Sequence, residues 1–297
     1  MTRARGERNP ARFAGSWAWR GLAGFLALCL MGVLAPAAAE EESSPRDRLH
    51  MLAEDPRTEA DLQAEIRVGR EVAARILARD PLVEDPELQR YVNLVGSAVA
   101  AHGDRSELSW YFAVTDSDEV NAYAAPGGYV FVTRGALKEM RDEAELAGVL
   151  AHEIAHITRR HIVDALDIRA PEDSPLAGIT RFFGGATEVA RVAFSEAVDQ
   201  VMDVLFEDGL RREDELDADH HGLMLAVRTG YDPAGLPRYL ARLAEFEEDD
   251  KDAVETVART HPPASERLEA LERLMEEQGI DGLEQPAREE RFARHVR

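Results

Sequence analysis

The feature that most constrains this chain is an H-E-x-x-H motif, in which His152 and His156 flank Glu153. On an α-helix a step of four residues turns about 400°, so the two imidazoles lie ~40° apart on one face. Two neutral histidines in this arrangement can bind one Zn²⁺, and the glutamate between them can take a proton from an attacking water. The surrounding apolar residues recur at helical spacing, at Leu146, Val149, Leu150, Ile154 and Ile157. The motif therefore predicts a metal site on a buried helix, where these polar groups must be satisfied.

A catalytic zinc usually has three protein ligands, so a third is expected elsewhere in the chain. His161 follows His156 by five residues, about 500° of helix, which predicts a structural helix-end residue pointing away from the metal. Glu215 and Asp219 share a helix face further on. Glu215 can be the third ligand, and Asp219 can accept a hydrogen bond from a ligating histidine. A solvated charged helix has the same spacing, so both interpretations remain open at this point.

Two further side chains are candidates for the same site. Arg212 lies one turn before Glu215 and can neutralise and orient the acidic cluster. His261 precedes two prolines, which predicts an extended turn rather than a helix. A histidine on such a turn could stabilise an oxyanion or cap an open metal position, and the alternative is a residue that only leads into the helix at Ser265. His220 and His221 are predicted to be structural.

The N-terminus has the pattern of an export signal. Residues 1–20 carry five arginines against one glutamate, residues 21–34 are apolar, and Ala37-Ala38-Ala39 fits a cleavage site. We therefore expect a signal peptide at 1–39, export to the periplasm, and a mature protein that begins near Glu40. The alternative is a retained inner-membrane anchor, for which residues 21–39 are barely long enough. The one cysteine lies in the signal segment, so the mature chain has no disulfide bond.

The formal net charge of −22 limits the classes of partner. Because the signal segment is basic, the mature chain is more acidic still. Such a chain is not expected to bind nucleic acid or an anionic lipid surface through its charge. Peripheral association with a membrane by other means remains open.

The rest of the sequence predicts a mostly helical α+β protein with a small antiparallel sheet beside the H-E-x-x-H helix. A linker at 40–57 precedes one domain at 58–278, and a charged, loose tail at 279–297 follows it. The predicted helices are at 59–78, 86–101, 186–205, 236–246 and 265–277, and the predicted strands are at 108–114, 119–124 and 128–133.

Two segments permit more than one interpretation. Strand 129–132 is either ordinary sheet core or an edge strand on which an extended peptide could pair beside the metal. Residues 168–185 contain several Gly and Pro and predict a mobile connection. The helix at 186–205 that follows is either core or part of a lid, because it lies between the two halves of the metal site in sequence.

Four motifs stand together in a familiar order, at 121–135, 145–156, 212–219 and 260–263. On these motifs the chain resembles, from about residue 65 to 274, a family of gluzincin-type zinc metallopeptidases. That family includes the bacterial β-barrel assembly-enhancing protease, HtpX and the mitochondrial Oma-type peptidases.

The resemblance implies a zincin-like domain that binds one Zn²⁺ per chain through His152, His156 and Glu215. It implies that Glu153 is the general base and that Asp219 is the acidic partner on the Glu215 helix. For Asp219 we favour a hydrogen bond to a ligating histidine over proton donation. The resemblance also favours a functional His261, which with Glu153 and Asp219 completes the predicted catalytic residues, and the edge-strand interpretation of 129–132.

The expected function is a zinc endopeptidase of protein quality control, acting on extended segments of misfolded or unassembled envelope proteins. One alternative is a chaperone-like protein that binds clients while its zinc site is plugged. The other is a zinc hydrolase that acts on a small amide or ester.

Overall fold

The structure is a computed structural model that describes residues 58–169, 188–249, 259–283 and 285–296. The predicted signal peptide, the linker at 40–57 and residues 170–185 of the predicted connection lie outside the described residues. The described helices are α1 (Glu59–Arg79), α2 (Pro86–Ala100), α3 (Arg134–Glu139), α4 (Glu143–Thr158), α5 (His161–Ala165), α6 (Glu188–Asp203), α7 (Arg212–Arg228), α8 (Gly235–Asp249), α9 (Ala264–Gln278) and α10 (Glu289–His295). The described strands are β1 (Tyr111–Thr115), β2 (Ala122–Ala125) and β3 (Tyr129–Thr133).

The sheet confirms the α+β class and corrects the predicted pairing. Its strand order is β1-β3-β2. β2 pairs antiparallel with β3, as predicted, whereas β1 pairs parallel with β3, so the sheet is mixed. β3 lies between β1 and β2. Because β1 and β2 run in opposite directions, a strand that is antiparallel to β2 is parallel to β1. Residue alternation identifies strands but not their order, which is why the sequence did not predict this.

The strand order also shows that the edge-strand prediction for 129–132 is wrong. β3 is the central strand, and Val130 and Val132 are fully buried in the core. The strand at the edge near the H-E-x-x-H helix is β2, which contacts α4.

Helix α4 is the centre of the fold. Its N-cap is Asp142, whose side chain accepts a hydrogen bond from the Glu145 backbone N–H. Every residue from Glu143 to Ile157 is buried, because the helix packs against α2, α7, α8 and the sheet. The predicted buried helix is therefore confirmed, and its His and Glu side chains lie in the interior.

Helix α6 confirms the helix predicted at 186–205, and a π-helical turn at Val204–Asp208 continues it. Its C-terminal half packs against α1, with Val198 and Val201 fully buried. Further towards the N-terminus, Val192 and Phe194 are 48% and 38% exposed. A lid function for this helix stays a prediction.

The predicted loose tail is instead docked on the domain. Phe292 of α10 is buried, and the His295 ring stacks on Tyr91 with ring centroids 4.4 Å apart. Arg291 forms an ion pair with the fully buried Glu143. A buried carboxylate requires such a partner, so the tail has a defined position on the domain that its charged composition did not indicate.

Across the described ranges, we find no helix that combines the length and the apolar character needed to cross a membrane.

Candidate active site

The two motif histidines meet inside the protein. His152 and His156 are 3% and 4% exposed, and their Nε2 atoms lie 3.0 Å apart. Burial lowers the pKa of His156 well below its usual value, so its imidazole is neutral. A neutral imidazole has the free lone pair that a metal requires.

Helix α7 brings the predicted third ligand to the same point. Acidic residues in its first turn complement the helix dipole, and Glu215 is among them. The Glu215 carboxylate lies 3.4 Å from His156 Nε2 and 3.7 Å from His152 Nε2. Ligand atoms around a tetrahedral zinc with bonds of about 2.0–2.1 Å are separated by about 3.3 Å. The three buried side chains therefore fit one zinc ion.

Asp219 contacts the first motif histidine. Its Oδ1 lies 2.9 Å from His152 Nδ1, which fits a metal bound at the other ring nitrogen, Nε2, on the side of His156 and Glu215. This contact fits the orienting role that we favoured over proton donation.

A buried arginine completes this arrangement. Arg267 donates to both oxygens of Asp219, at 2.9 and 2.7 Å. Burial opposes ionisation of Asp219, but the Arg267 guanidinium outweighs it and lowers the pKa of Asp219 to about 2. Asp219 is therefore a carboxylate that can only accept hydrogen bonds.

Arg267 takes the place that the sequence suggested for Arg212. The Arg212 side chain is 57% exposed and pairs with Glu266, so the prediction that Arg212 orients the site is wrong. Arg267 is 5% exposed. It lies four residues before Leu271, which is buried on the same face of α9. A charged residue at an apolar position of an amphipathic helix was the signal that could have identified it.

Glu153 is buried beside the three candidate ligands. Burial raises its pKa above the ordinary glutamate value. A carboxylate with a raised pKa is a better proton acceptor than an exposed one. Glu153 lines two small cavities of about 40 and 30 Å³, which also share His261.

His261 lies within the metal site, on the turn before α9. Its Nδ1 is 2.5 Å from Glu215 Oε2, and its ring centroid is 5.9 Å from that of His152. His152, Glu215 and His261 each offer a ligand atom within 4.8 Å of the others. His261 is thus a further candidate ligand, and it lines both cavities.

His161 lies closer to the site than predicted. Helix α4 ends at Thr158, and Arg160 adopts a left-handed conformation with φ of 60°. This turn brings His161 Nδ1 to 2.9 Å from His156 Nδ1. The expectation that His161 points away assumed a continuous helix and is therefore wrong.

Close packing of α7 on α4 is what brings the ligands together, and Gly222 permits it. A Cβ at this position would lie 2.8 Å from the His152 backbone N. We expect Gly222→Ala to separate the helices, to destabilise the protein by about 1–3 kcal/mol as overpacking usually does, and to weaken metal binding. Urea unfolding and metal content measure the two effects. In Gly282→Ala the added Cβ meets open space, so it is the control. Wild-type behaviour of Gly222→Ala would contradict the close approach.

Metallopeptidases of the H-E-x-x-H class bind their catalytic metal with two histidines of one helix and place a glutamate between them as the base. The buried pair on α4, with Glu153 and the carboxylate from α7, assigns this protein to that class. Within the class, the profile of Peptidase family M48 matches residues 86–275, a range that contains all six predicted site residues. The chain belongs to peptidase family M48, which confirms the resemblance noted from the motifs.

Individual relatives agree with this family. The chain is 25% identical over 265 residues to the Beta-barrel assembly-enhancing protease of Escherichia coli (strain K12), covering 83% of this chain and 50% of that protein. It is 30% identical over 191 residues to the Mitochondrial metalloendopeptidase OMA1 of Schizosaccharomyces pombe, covering 63% of this chain and 53% of that protein. The chain thus spans about half the length of these relatives.

Proposed function

We propose that this protein is a zinc-dependent endopeptidase in which Glu153 is the general base. The observation that carries the proposal is the convergence of His152, His156 and Glu215 around one buried point, with the Glu153 carboxylate beside it. A structural zinc site has no base beside its ligands, whereas here the buried Glu153 shares two cavities with the candidate ligands, as in a catalytic site.

The residues of this chain divide the reaction between them. Bound zinc would polarise the scissile carbonyl and make an attacking water more acidic. Glu153 accepts the proton of that water and then delivers it to the leaving amine nitrogen as the C–N bond breaks. Asp219 and Arg267 keep His152 in one tautomer and one orientation throughout.

We infer that the substrate is an extended polypeptide. β2 is the edge strand of the described sheet, and Tyr123 and Ala124 of this strand line the cavity on the His156 side. The residues of β2 are at most 9% exposed, so a peptide would add to this edge as a further strand only after the site opens. This proposal transfers to β2 the role predicted for 129–132. Each cavity has apolar residues on one part of its wall, which suits apolar side chains flanking the scissile bond. These walls include Val149, Leu236, Leu240 and Leu243 on one side and Ile162, Val204, Leu205 and Leu210 on the other.

Segments that are extended and apolar are exposed in unfolded rather than folded proteins. We therefore infer substrates among unfolded or unassembled proteins of the bacterial envelope, met in the periplasm after export. The name of the Escherichia coli relative, Beta-barrel assembly-enhancing protease, supports a role in protein assembly. Mass spectrometry of envelope proteins from cells with wild-type or Glu153→Gln protein tests the proposal. New termini between apolar residues, seen only with the wild type, are the expected result.

His261 is proposed to cap the open metal position in a resting form. The support is its contact with Glu215 and its position between the two cavities. We expect His261→Ala to cleave an unfolded test protein several-fold faster than the wild type, because the open position and both cavities become accessible. Initial cleavage rates at equal zinc content measure the effect.

The exposed His220 of α7 provides the matched control, His220→Ala, which should cleave at the wild-type rate. If His261→Ala keeps its zinc and loses activity, His261 stabilises the oxyanion and the capping role is wrong. If zinc-loaded wild type and His261→Ala both bind unfolded protein without cleaving it, the chaperone-like alternative replaces the endopeptidase.

A further inference from the structure

The second motif histidine is held by a chain of hydrogen bonds outside the metal site. His156 Nδ1 lies 2.9 Å from His161 Nδ1, and His161 Nε2 lies 3.0 Å from Asp217 Oδ2. The same Asp217 oxygen accepts from Arg159 Nε at 2.7 Å. His161 is 7% exposed, so this chain of hydrogen bonds runs from buried histidine rings to the Asp217 carboxylate, which is near the surface.

The direction of these hydrogen bonds follows from metal binding. If His156 binds zinc through Nε2, the atom nearest Glu215 and His152, its proton must be on Nδ1. His161 Nδ1 must then accept that proton, which places the proton of His161 on Nε2. His161 Nε2 donates it to the Asp217 carboxylate, so each group in the chain has one defined role.

Each motif histidine thus has an acidic partner on α7, directly for His152 and through His161 for His156. Asp219 of α7 contacts His152 directly, at 2.9 Å. Asp217 lies two residues earlier, and residues at that spacing point to different helix faces. Direct contacts of Asp219 with His152 and of Asp217 with His156 would require both acids on one face of α7. His161 instead lies between Asp217 and His156 and contacts both.

The backbone supports this placement at a conformational cost. Arg160 adopts a left-handed conformation, with φ of 60° and ψ of 31°, which residues other than glycine seldom adopt. This one residue ends the turn after α4 and starts α5 at His161, directly against His156.

We propose that His161 and Asp217 are positioning residues that fix the tautomer and orientation of His156 for zinc. The proposal rests on the zinc site of the proposed function and is independent of peptidase activity. Loss of an outer partner of this kind usually weakens metal binding by about 10–100-fold. The effect should therefore appear in metal affinity before any substrate is present.

Four variants of the full chain test the proposal. His161→Phe keeps a ring and removes both hydrogen bonds, whereas His161→Gln keeps one acceptor and one donor. Asp217→Asn removes the charge at nearly constant shape. The control is His221→Ala. His221 also contacts Asp217, at 3.4 Å, but it is not part of the hydrogen-bond chain from His156 to Asp217, and its side chain is 38% exposed.

The main measurement is the zinc dissociation constant, from competition with a chromophoric chelator, and the second is the visible spectrum of the Co²⁺-substituted protein. We expect His161→Phe to bind zinc about 10–100-fold more weakly and to shift the Co²⁺ spectrum. Asp217→Asn should show a smaller loss, His161→Gln should recover most of the affinity, and His221→Ala should match the wild type.

Wild-type affinity in His161→Phe would overturn the proposal. Equal losses in His161→Gln and His161→Phe would also overturn it, because packing alone would then explain the effect. If His161→Phe does not fold, Asp217→Asn decides, and an unchanged dissociation constant and spectrum in that variant overturn the proposal. If the wild type binds zinc but cleaves no protein, the proposed endopeptidase activity is wrong. The test of His161 and Asp217 by zinc affinity remains valid in that case.

Discussion

Glu153→Gln is expected to lower peptide cleavage by about 10²–10⁴-fold, the range typical for loss of a general base, while zinc stays bound. Glutamine has nearly the shape of glutamate but cannot accept the proton of the attacking water. The residue is buried beside the ligands, so a change of shape would disturb the site, whereas this change removes only the basic oxygen. Initial rates on an unfolded test protein, at measured zinc content, check the expectation.

The matched control is Glu276→Gln, which makes the same chemical change at an exposed position of α9. It should cleave at the wild-type rate. Cleavage by Glu153→Gln at more than about a tenth of the wild-type rate, at equal zinc content, would show that another group is the base.

Glu215→Gln is expected to abolish stoichiometric zinc binding and, with it, cleavage. The wild type should bind one zinc per chain through His152, His156 and Glu215. An amide is a weaker ligand than a carboxylate and does not offset the charge of the metal in a buried site. The loss should exceed the about 10–100-fold expected for an outer partner, because Glu215 would touch the metal itself. Metal analysis after dialysis, with chelator titration, measures it.

Glu213→Gln is the control for this experiment, since Glu213 lies two residues earlier on α7 and is exposed. It should keep one zinc per chain. Treatment of the wild type with a chelator should stop cleavage, and added zinc should restore it. A folded wild type that stays metal-free in zinc-containing buffer would contradict both the ligand set and the proposed reaction.

The sequence by itself determined the parts of this site that depend on spacing along one helix. His152 and His156 were predicted to face one metal because four residues make slightly more than one helical turn. The same spacing placed Glu215 and Asp219 on one face of α7. Helix boundaries were also close, as at α2 and α9, because apolar periodicity and turn residues act locally. The motif order identified the family, which the family comparison confirmed.

Only the tertiary structure decided which distant side chains complete the site. Arg267 replaces Arg212 because α9 packs on α7 and carries its arginine inward. His161 contacts His156 because Arg160 adopts a left-handed conformation after the end of α4. Helical spacing assumes a continuous helix and does not predict such a turn. β2 rather than β3 is the edge strand of the described sheet because strand order depends on how the chain crosses the sheet.

These outcomes share one physical reason. Periodicity along the chain fixes which face of a helix a residue occupies, because that depends only on local backbone geometry. Which faces meet depends on close approach between elements far apart in sequence, such as the contact of Gly222 with the backbone of His152. The sequence therefore specified the two halves of the candidate metal site, one on α4 and one on α7, and the packing of α7 on α4 brought them together.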